Sequence, residues 1–279
     1  MIRRILVALD PDTDTHVAVR YAAELAHQHN ASVTGLAVVD TGQIEASARG
    51  GGIGSMYYAE KLRDQLTEEA RTTARRLIEA FDDIAEKEGL RHRNTVAEGV
   101  PFQRILEDMK VHDLLVVGKE PHFFYSHPEE KTKTLVRVVR ESVGPSFIVE
   151  SEYRPISRIL IAYDGSDTAA RTMQRFAQLK PFGTNVSIEV LTVYDGNEAE
   201  VRLMLSLVQE YLQEHGFRVT TTARRGNNPE EAIVQFANEI HADLIVAGAY
   251  ATTGLKKLLF GSSTTALIEK TNVPLFLYH

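Results

Sequence analysis

Short apolar runs rich in Val, Ile and Leu alternate along this chain with amphipathic stretches. The runs at 5–9, 33–39, 114–117, 159–163, 188–193 and 244–247 are continuous rather than alternating. Strands buried on both faces read this way, and parallel sheets bury both faces. Between the runs, Asp14 to His29 places Val17, Tyr21, Leu25 and neighbouring alanines on one helical face. Residues 60–88 predict an unusually long helix, and 230–241 carries Ile233, Val234, Ala237 and Ile240 at helical spacing. Strands alternating with helices imply right-handed crossovers and doubly wound α/β sheets.

The pattern also repeats. Ile5-Leu6-Val7-Ala8-Leu9-Asp10 recurs as Ile159-Leu160-Ile161-Ala162-Tyr163-Asp164, and the run at 32–40 recurs at 187–195. His112-Asp113-Leu114-Leu115-Val116-Val117-Gly118 matches Ala242-Asp243-Leu244-Ile245-Val246-Ala247-Gly248, and 144–149 matches 273–278. Four landmarks in one order predict a duplicated domain, with units at 1–150 and 156–279 joined by the polar, proline-ended segment 151–155. The spacing between copies shortens by about 25 residues midway, which places an insertion in the first copy. It falls near 41–60, with glycines at 50–52 and 54 followed by Met56-Tyr57-Tyr58. Its glycines follow the second strand rather than the first, so a dinucleotide fingerprint fits poorly. A mobile loop with aromatic anchors fits better.

Composition narrows the function. The 279 residues are 43% hydrophobic and 25% charged, as in globular proteins. With 31 Lys+Arg against 38 Asp+Glu, the formal charge of −7 gives no electrostatic reason to hold nucleic acid or an anionic membrane. No cysteine is present, which excludes disulfides, thiolate catalysis and Cys-type zinc sites. No apolar run is long enough to span a bilayer, and the N-terminal apolar run is too short for a signal peptide, so the expected location is the cytoplasm. His27 and His29 do not share a helix face, and His122 and His127 read as solvated or capping residues. No HExxH, P-loop or nucleophile-elbow motif occurs.

Ligands of open parallel sheets bind outside the carboxyl ends of the strands, where the strand order switches. In the second copy those positions are Asp164-Gly165-Ser166, Val193-Tyr194-Asp195, and the stretch from Gly248 to Gly261-Ser262-Ser263-Thr264-Thr265. Glycines permit close backbone approach. The hydroxyls at 262–264 can cap the helix that follows. Backbone N–H groups at its start would hold an anion, worth ~0.3–1 kcal/mol per charge. An ordinary glycine turn with a Ser/Thr cap reads the same residues equally simply. Asp164 likewise reads as a turn or cap residue, and the Val193 side chain as core.

Gly248, Ala251 and Gly261-Ser262, with two residues between the first pair and nine before the last, together with Asp164 and Val273-Pro274, resemble the universal stress protein family. The resemblance extends over both halves in strand order. It implies two tandem doubly wound, Rossmann-like domains of the adenine nucleotide alpha hydrolase-like type, the second binding ATP, ADP or AMP. By that resemblance Ala162 and Asp164 hold ribose and adenine, and the Val193 backbone reads the adenine edge. Ala247 and Gly248 floor the ribose and phosphates, which Ala251, Gly261, Ser262, Ser263 and Thr264 surround. Mg²⁺ would be the natural counter-ion of a triphosphate. Ala251 departs from the family's glycine, and at φ > 0 its Cβ would cost about 1–2 kcal/mol. In the first half Asp10, Val39, Val117 and Gly118 match, but Lys119-Glu120-Pro121 follows and Thr132-Lys133 stands in place of Gly261-Ser262. Glu129 and Glu130 add negative charge, so that half is expected not to hold ATP, and its aromatics at 123–125 could cover the vacant site.

The expected function is therefore that of a stress-response switch or sensor that binds an adenine nucleotide in its C-terminal half. No general base is evident, so slow ATP hydrolysis is the most it would catalyse. The alternative is a nucleotide-free module whose halves pair through their last strands, 146–150 and 275–278, an edge that would also invite a homodimer. A lipid-like or cyclic-nucleotide ligand drawing on 123–125 or the insertion is a third reading.

Overall fold

Apolar runs that need cover on both faces become the inner strands of one sheet. The computed structural model describes residues 1–11, 14–42, 44, 56–119, 131–249 and 262–279. The first half comprises β1 (Arg4–Ala8), α1 (Asp14–His29), β2 (Ser32–Asp40), α2 (Met56–Lys87), β3 (Arg91–Gly99), α3 (Pro101–Met109), β4 (Leu114–Gly118), α4 (Lys131–Glu141) and β5 (Ser146–Val149). The second comprises β6 (Arg158–Ala162), α5 (Asp167–Leu179), β7 (Ser187–Tyr194), α6 (Glu198–Glu214), β8 (Arg218–Arg225), α7 (Pro229–Glu239), β9 (Leu244–Gly248), α8 (Ser262–Lys270) and β10 (Leu275–Tyr278).

The strands form one ten-stranded sheet in the order β3-β2-β1-β4-β5-β10-β9-β6-β7-β8. Pairing is parallel within each half. At the centre β5 and β10 run antiparallel, with Phe147 opposite Phe276. The order therefore reads the same from either end, as a twofold relation between the halves requires. Both free edges, β3 and β8, are the polar strands, carrying Arg91, Arg93 and Glu98 on one and Arg218, Arg224 and Arg225 on the other. Charge along an edge discourages further strand addition.

Alternate residues of the inner strands feed two apolar layers. Ile5, Val7, Ile159 and Ile161 face α1, α2, α5 and α6, through Tyr21, Phe81, Phe176 and Leu212. Leu6, Ala8, Leu160 and Ala247 face α3, α4, α7 and α8, through Ile105, Val139, Phe236 and Leu267. Side chains such as Phe147, Phe176 and Phe276 are wholly buried, each worth roughly 1.5–3 kcal/mol by transfer. Both layers run unbroken across the β5–β10 seam.

The segment read as a loop with aromatic anchors needs correction at its end. Met56, Tyr57 and Tyr58 open α2, and Tyr57 and Tyr58 are 70% and 73% exposed. They stand edge to face with one another, ring centroids 5.9 Å apart, and are not buried as anchors would be. Residues 45–55 and 120–130, the latter including the aromatics at 123–125, lie outside the described residues.

Candidate functional site

In each half the chain winds outward through its first three strands, then returns to place the fourth on the other side of the first. The switch in strand order falls between β6 and β9, and between β1 and β4. Ala162 is the register partner of both Leu191 on β7 and Ala247 on β9. The ends of β6 and β9 thus meet beside this small side chain, and β7 runs three residues further to Tyr194. Helix α8 is the crossover from β9 to its parallel neighbour β10, so its N-terminus lies at this same end of the sheet.

Just past β6, Asp164 is exposed, and its Oδ1 accepts the Ser166 N–H at 2.9 Å. Gly165 between them has φ +80°, a left-handed value that a side chain would strain. Ser166 then caps α5, its hydroxyl accepting the Ala169 N–H at 3.2 Å. The alternative reading of Asp164 as a turn residue therefore describes a real bond, one that also holds the carboxylate outward. Burial of the neighbouring Tyr163, followed by the Asp164 charge, raises that phenol's pKa.

Gly248 has a packing reason of its own. A Cβ there would lie 3.0 Å from the Ala169 nitrogen and 3.1 Å from the Thr168 carbonyl carbon. The first turn of α5 consequently rests directly on β9. Ala247 is buried, and Val193 is half-buried against the apolar layer on its face, opposite Arg224 in register. The Thr192 hydroxyl donates to the Tyr163 carbonyl at 2.6 Å and ties the exits of β6 and β7 together. Sequence reasoning missed Thr192, since a single threonine inside an apolar run carries no signal of a specific partner.

Ala162, Asp164, Val193, Ala247 and Gly248 accordingly gather at adjacent strand ends. Thr264 lies in α8 and is 3% exposed. Ser262 and Ser263 open α8, but their side chains fall outside the described residues, as do Ala251 and Gly261 altogether.

In the first half the corresponding aspartate is buried. Asp10 is 5% exposed, its N–H donates to Thr15 Oγ1 at 2.9 Å, and the Thr15 hydroxyl donates back to the Asp10 carbonyl at 2.6 Å. A cavity of about 80 Å³ remains there, lined by Asp10, His16, Leu77 and Phe81 among others. That is far below the roughly 300 Å³ of a small ligand's pocket. A wider groove of about 540 Å³ between α3 and α4 lies away from the strand switch. Its cations are committed: Arg104 donates to the Glu98 carbonyl, and Arg137 pairs with Glu141 over the Phe102 ring. Among the described residues no three His, Asp or Glu side chains gather as a metal site, and no helix is long and apolar enough to cross a membrane.

The strand order and its parallel pairing within each half define a tandem of Rossmann-like α/β domains. The sequence model of the universal stress protein family matches residues 1–127 and 155–279. Over 289 aligned positions the chain is 22% identical to a universal stress protein of Synechocystis sp., covering 99% of this chain and 100% of that one. The stress response protein NhaX of Bacillus subtilis is 42% identical over 50 residues, 18% of this chain and 30% of its own. The crystal structure of a universal stress protein from Archaeoglobus fulgidus shares the fold at a TM-score of 0.71 and 19% identity, covering 99% of this chain and 95% of that one. The chain belongs to the universal stress protein family.

Proposed function

We propose that this stress protein binds an adenine nucleotide, ATP foremost, in the crevice of its C-terminal half, and acts as a switch or sensor. The units are residues 1–150 and 156–279, the first retaining the scaffold without the nucleotide. One observation carries the reading: two aspartates at equivalent strand ends have opposite environments, Asp164 exposed on a glycine turn and Asp10 buried beneath α2. Asp164 would accept hydrogen bonds from ribose or base. The Val193 main chain would face the adenine edge. Ala162, Ala247 and Gly248 would offer a floor without bulky side chains, and the 251–264 stretch would take the phosphates. Mg²⁺ would enter with the triphosphate and draw its ligands chiefly from phosphate oxygens, since no carboxylate cluster is present among the described residues. Binding would shift the population of states of the segment between β9 and α8, most of which lies outside the described residues, and that shift would be the output.

Calorimetric titration of the full chain with AMP, ADP and ATP tests this. Asp164→Asn should weaken binding by about tenfold or more, in line with ~1.5–3 kcal/mol for hydrogen bonds to a charged group, while Asp10→Asn leaves affinity unchanged. Absence of binding at millimolar nucleotide would reject the proposal in favour of a nucleotide-free interaction module. In either case β5 and β10 occupy each other, so a homodimer would form through a surface other than that seam.

A further inference from the structure

The first half lacks the glycine pattern, yet it grips the second half at one specific place. Lys119 is the first residue after β4. Its backbone N–H donates to the Val149 carbonyl at 2.9 Å, and Ala249 after β9 makes the matching bond to Tyr278 at 2.7 Å. The two positions are therefore equivalent in the repeat, but their side chains are not. Lys119 Nζ pairs with Glu150 Oε1 at 3.0 Å, both side chains below one-fifth exposed, and also donates to the Thr271 carbonyl of the second half. Alanine at 249 can make no such reach. Where Glu150 stands in the first copy, His279 stands in the second.

Thr271 is the residue after α8 and is 4% exposed. Its N–H closes the helix on the Leu267 carbonyl at 3.1 Å, and its hydroxyl accepts the Val273 N–H at 3.2 Å. One residue further, the Arg154 guanidinium donates to the Asn272 carbonyl at 3.1 Å. Two cations from outside the α/β unit that contains α8 thus meet its carboxyl end, where the helix dipole is negative. Thr264, Leu267 and Ile268 hold the body of the helix in the buried layer. The N-terminus of the same nine-residue helix carries Ser262, Ser263 and Thr264.

We infer that Lys119 is a positioning residue for nucleotide phosphates: from the degenerate half it fixes the carboxyl end of α8, and so the direction in which the backbone N–H groups of residues 262–264 point. The inference rests on the reading of the second crevice as a nucleotide site. Losing a lysine that merely stabilised the seam would lower stability and weaken all ligands alike. Losing one that aims α8 weakens the hold on each added phosphate and leaves the nucleoside end untouched.

The test compares the full chain with Lys119→Met, Lys119→Gln and Lys119→Arg. AMP, ADP and ATP affinities are measured by calorimetry, and amide hydrogen exchange over 262–271 is measured without ligand. Lys119→Met should lose about three- to tenfold in ATP affinity and less than about twofold in AMP affinity, the scale expected of a partly buried cation at a helix end. Its 262–271 amides should exchange faster. Lys119→Arg should restore both readouts, and Lys119→Gln, which keeps a donor for Thr271 without the charge, should fall between. An unchanged ratio of ATP to AMP affinity with unchanged exchange overturns the inference. If wild-type protein binds no nucleotide, the functional proposal fails by itself and exchange alone decides whether Lys119 holds α8. Should Lys119→Met not fold, Lys119→Gln carries the same comparison.

Discussion

Replacing Gly248 by alanine separates two reasons for having glycine at the end of β9. The added methyl would sit 3.0 Å from the Ala169 nitrogen and 3.1 Å from both the carbonyl carbon and Cγ2 of Thr168. Two of those three neighbours are backbone atoms in the first turn of α5, so no side-chain rotation relieves the clash. The turn must lift by a few tenths of an ångström, and it carries Ser166 and the Asp164 loop with it. Overpacking of this kind costs about 1–3 kcal/mol. In a chain of this size that lowers the melting temperature by roughly 2–4 °C per kcal/mol. Urea and thermal unfolding measure the loss, and Gly196→Ala serves as control because a Cβ there meets nothing within 4 Å. ATP affinity should fall alongside stability, since the Asp164 turn moves with α5. A Gly248→Ala protein of wild-type stability that no longer bound nucleotide would refute the packing argument and leave ligand clearance as the reason for the glycine.

Three further outcomes follow from the structure. His112 is 8% exposed, its Nδ1 at 2.6 Å from the Asp108 carbonyl and its Nε2 at 2.9 Å from Thr34 Oγ1, and burial lowers its pKa below the ordinary 6.5. The unfolded chain then binds the proton more readily, so this contribution to stability is complete above pH 6.5 and lost as pH falls through the folded-state value. Urea midpoints between pH 7.5 and 5 should show that fall in wild type and a flatter profile in His112→Asn. The Tyr21 hydroxyl donates to the Arg154 carbonyl at 2.7 Å and accepts the Arg154 N–H at 3.1 Å, so Tyr21→Phe strands both groups and should cost about 1–3 kcal/mol by chemical denaturation. The contrast between Asp164→Asn and Asp10→Asn, read by titration calorimetry, should confine any nucleotide effect to residue 164.

The hydrophobic pattern made the eight inner strands and the bounds of α1 legible, because inner parallel strands are apolar on both faces, whereas the polar edge strands β3 and β8 carry no apolar run and were not legible. It also located the strand ends around Ala162, Val193 and Gly248. Less visible was the start of α2, since Tyr57 and Tyr58 look like residues seeking cover and yet project into solvent. The difference between Asp10 and Asp164 was invisible in one dimension. Leu77 and Phe81 of α2 line one small cavity with the buried Asp10, while Asp164 stays exposed. The grip of Lys119 on Thr271 spans 152 residues of sequence, and no local periodicity encodes a contact at that distance.

The antiparallel seam between β5 and β10 has a consequence for how such a chain can diverge. Where two separate copies associate, every molecule must serve in both roles, and a change that spoils one crevice spoils both. Covalent fusion presents each half with a neighbour at high effective concentration and in fixed one-to-one proportion. The halves are then free to specialise, one keeping a chemical task while the other becomes its dedicated scaffold.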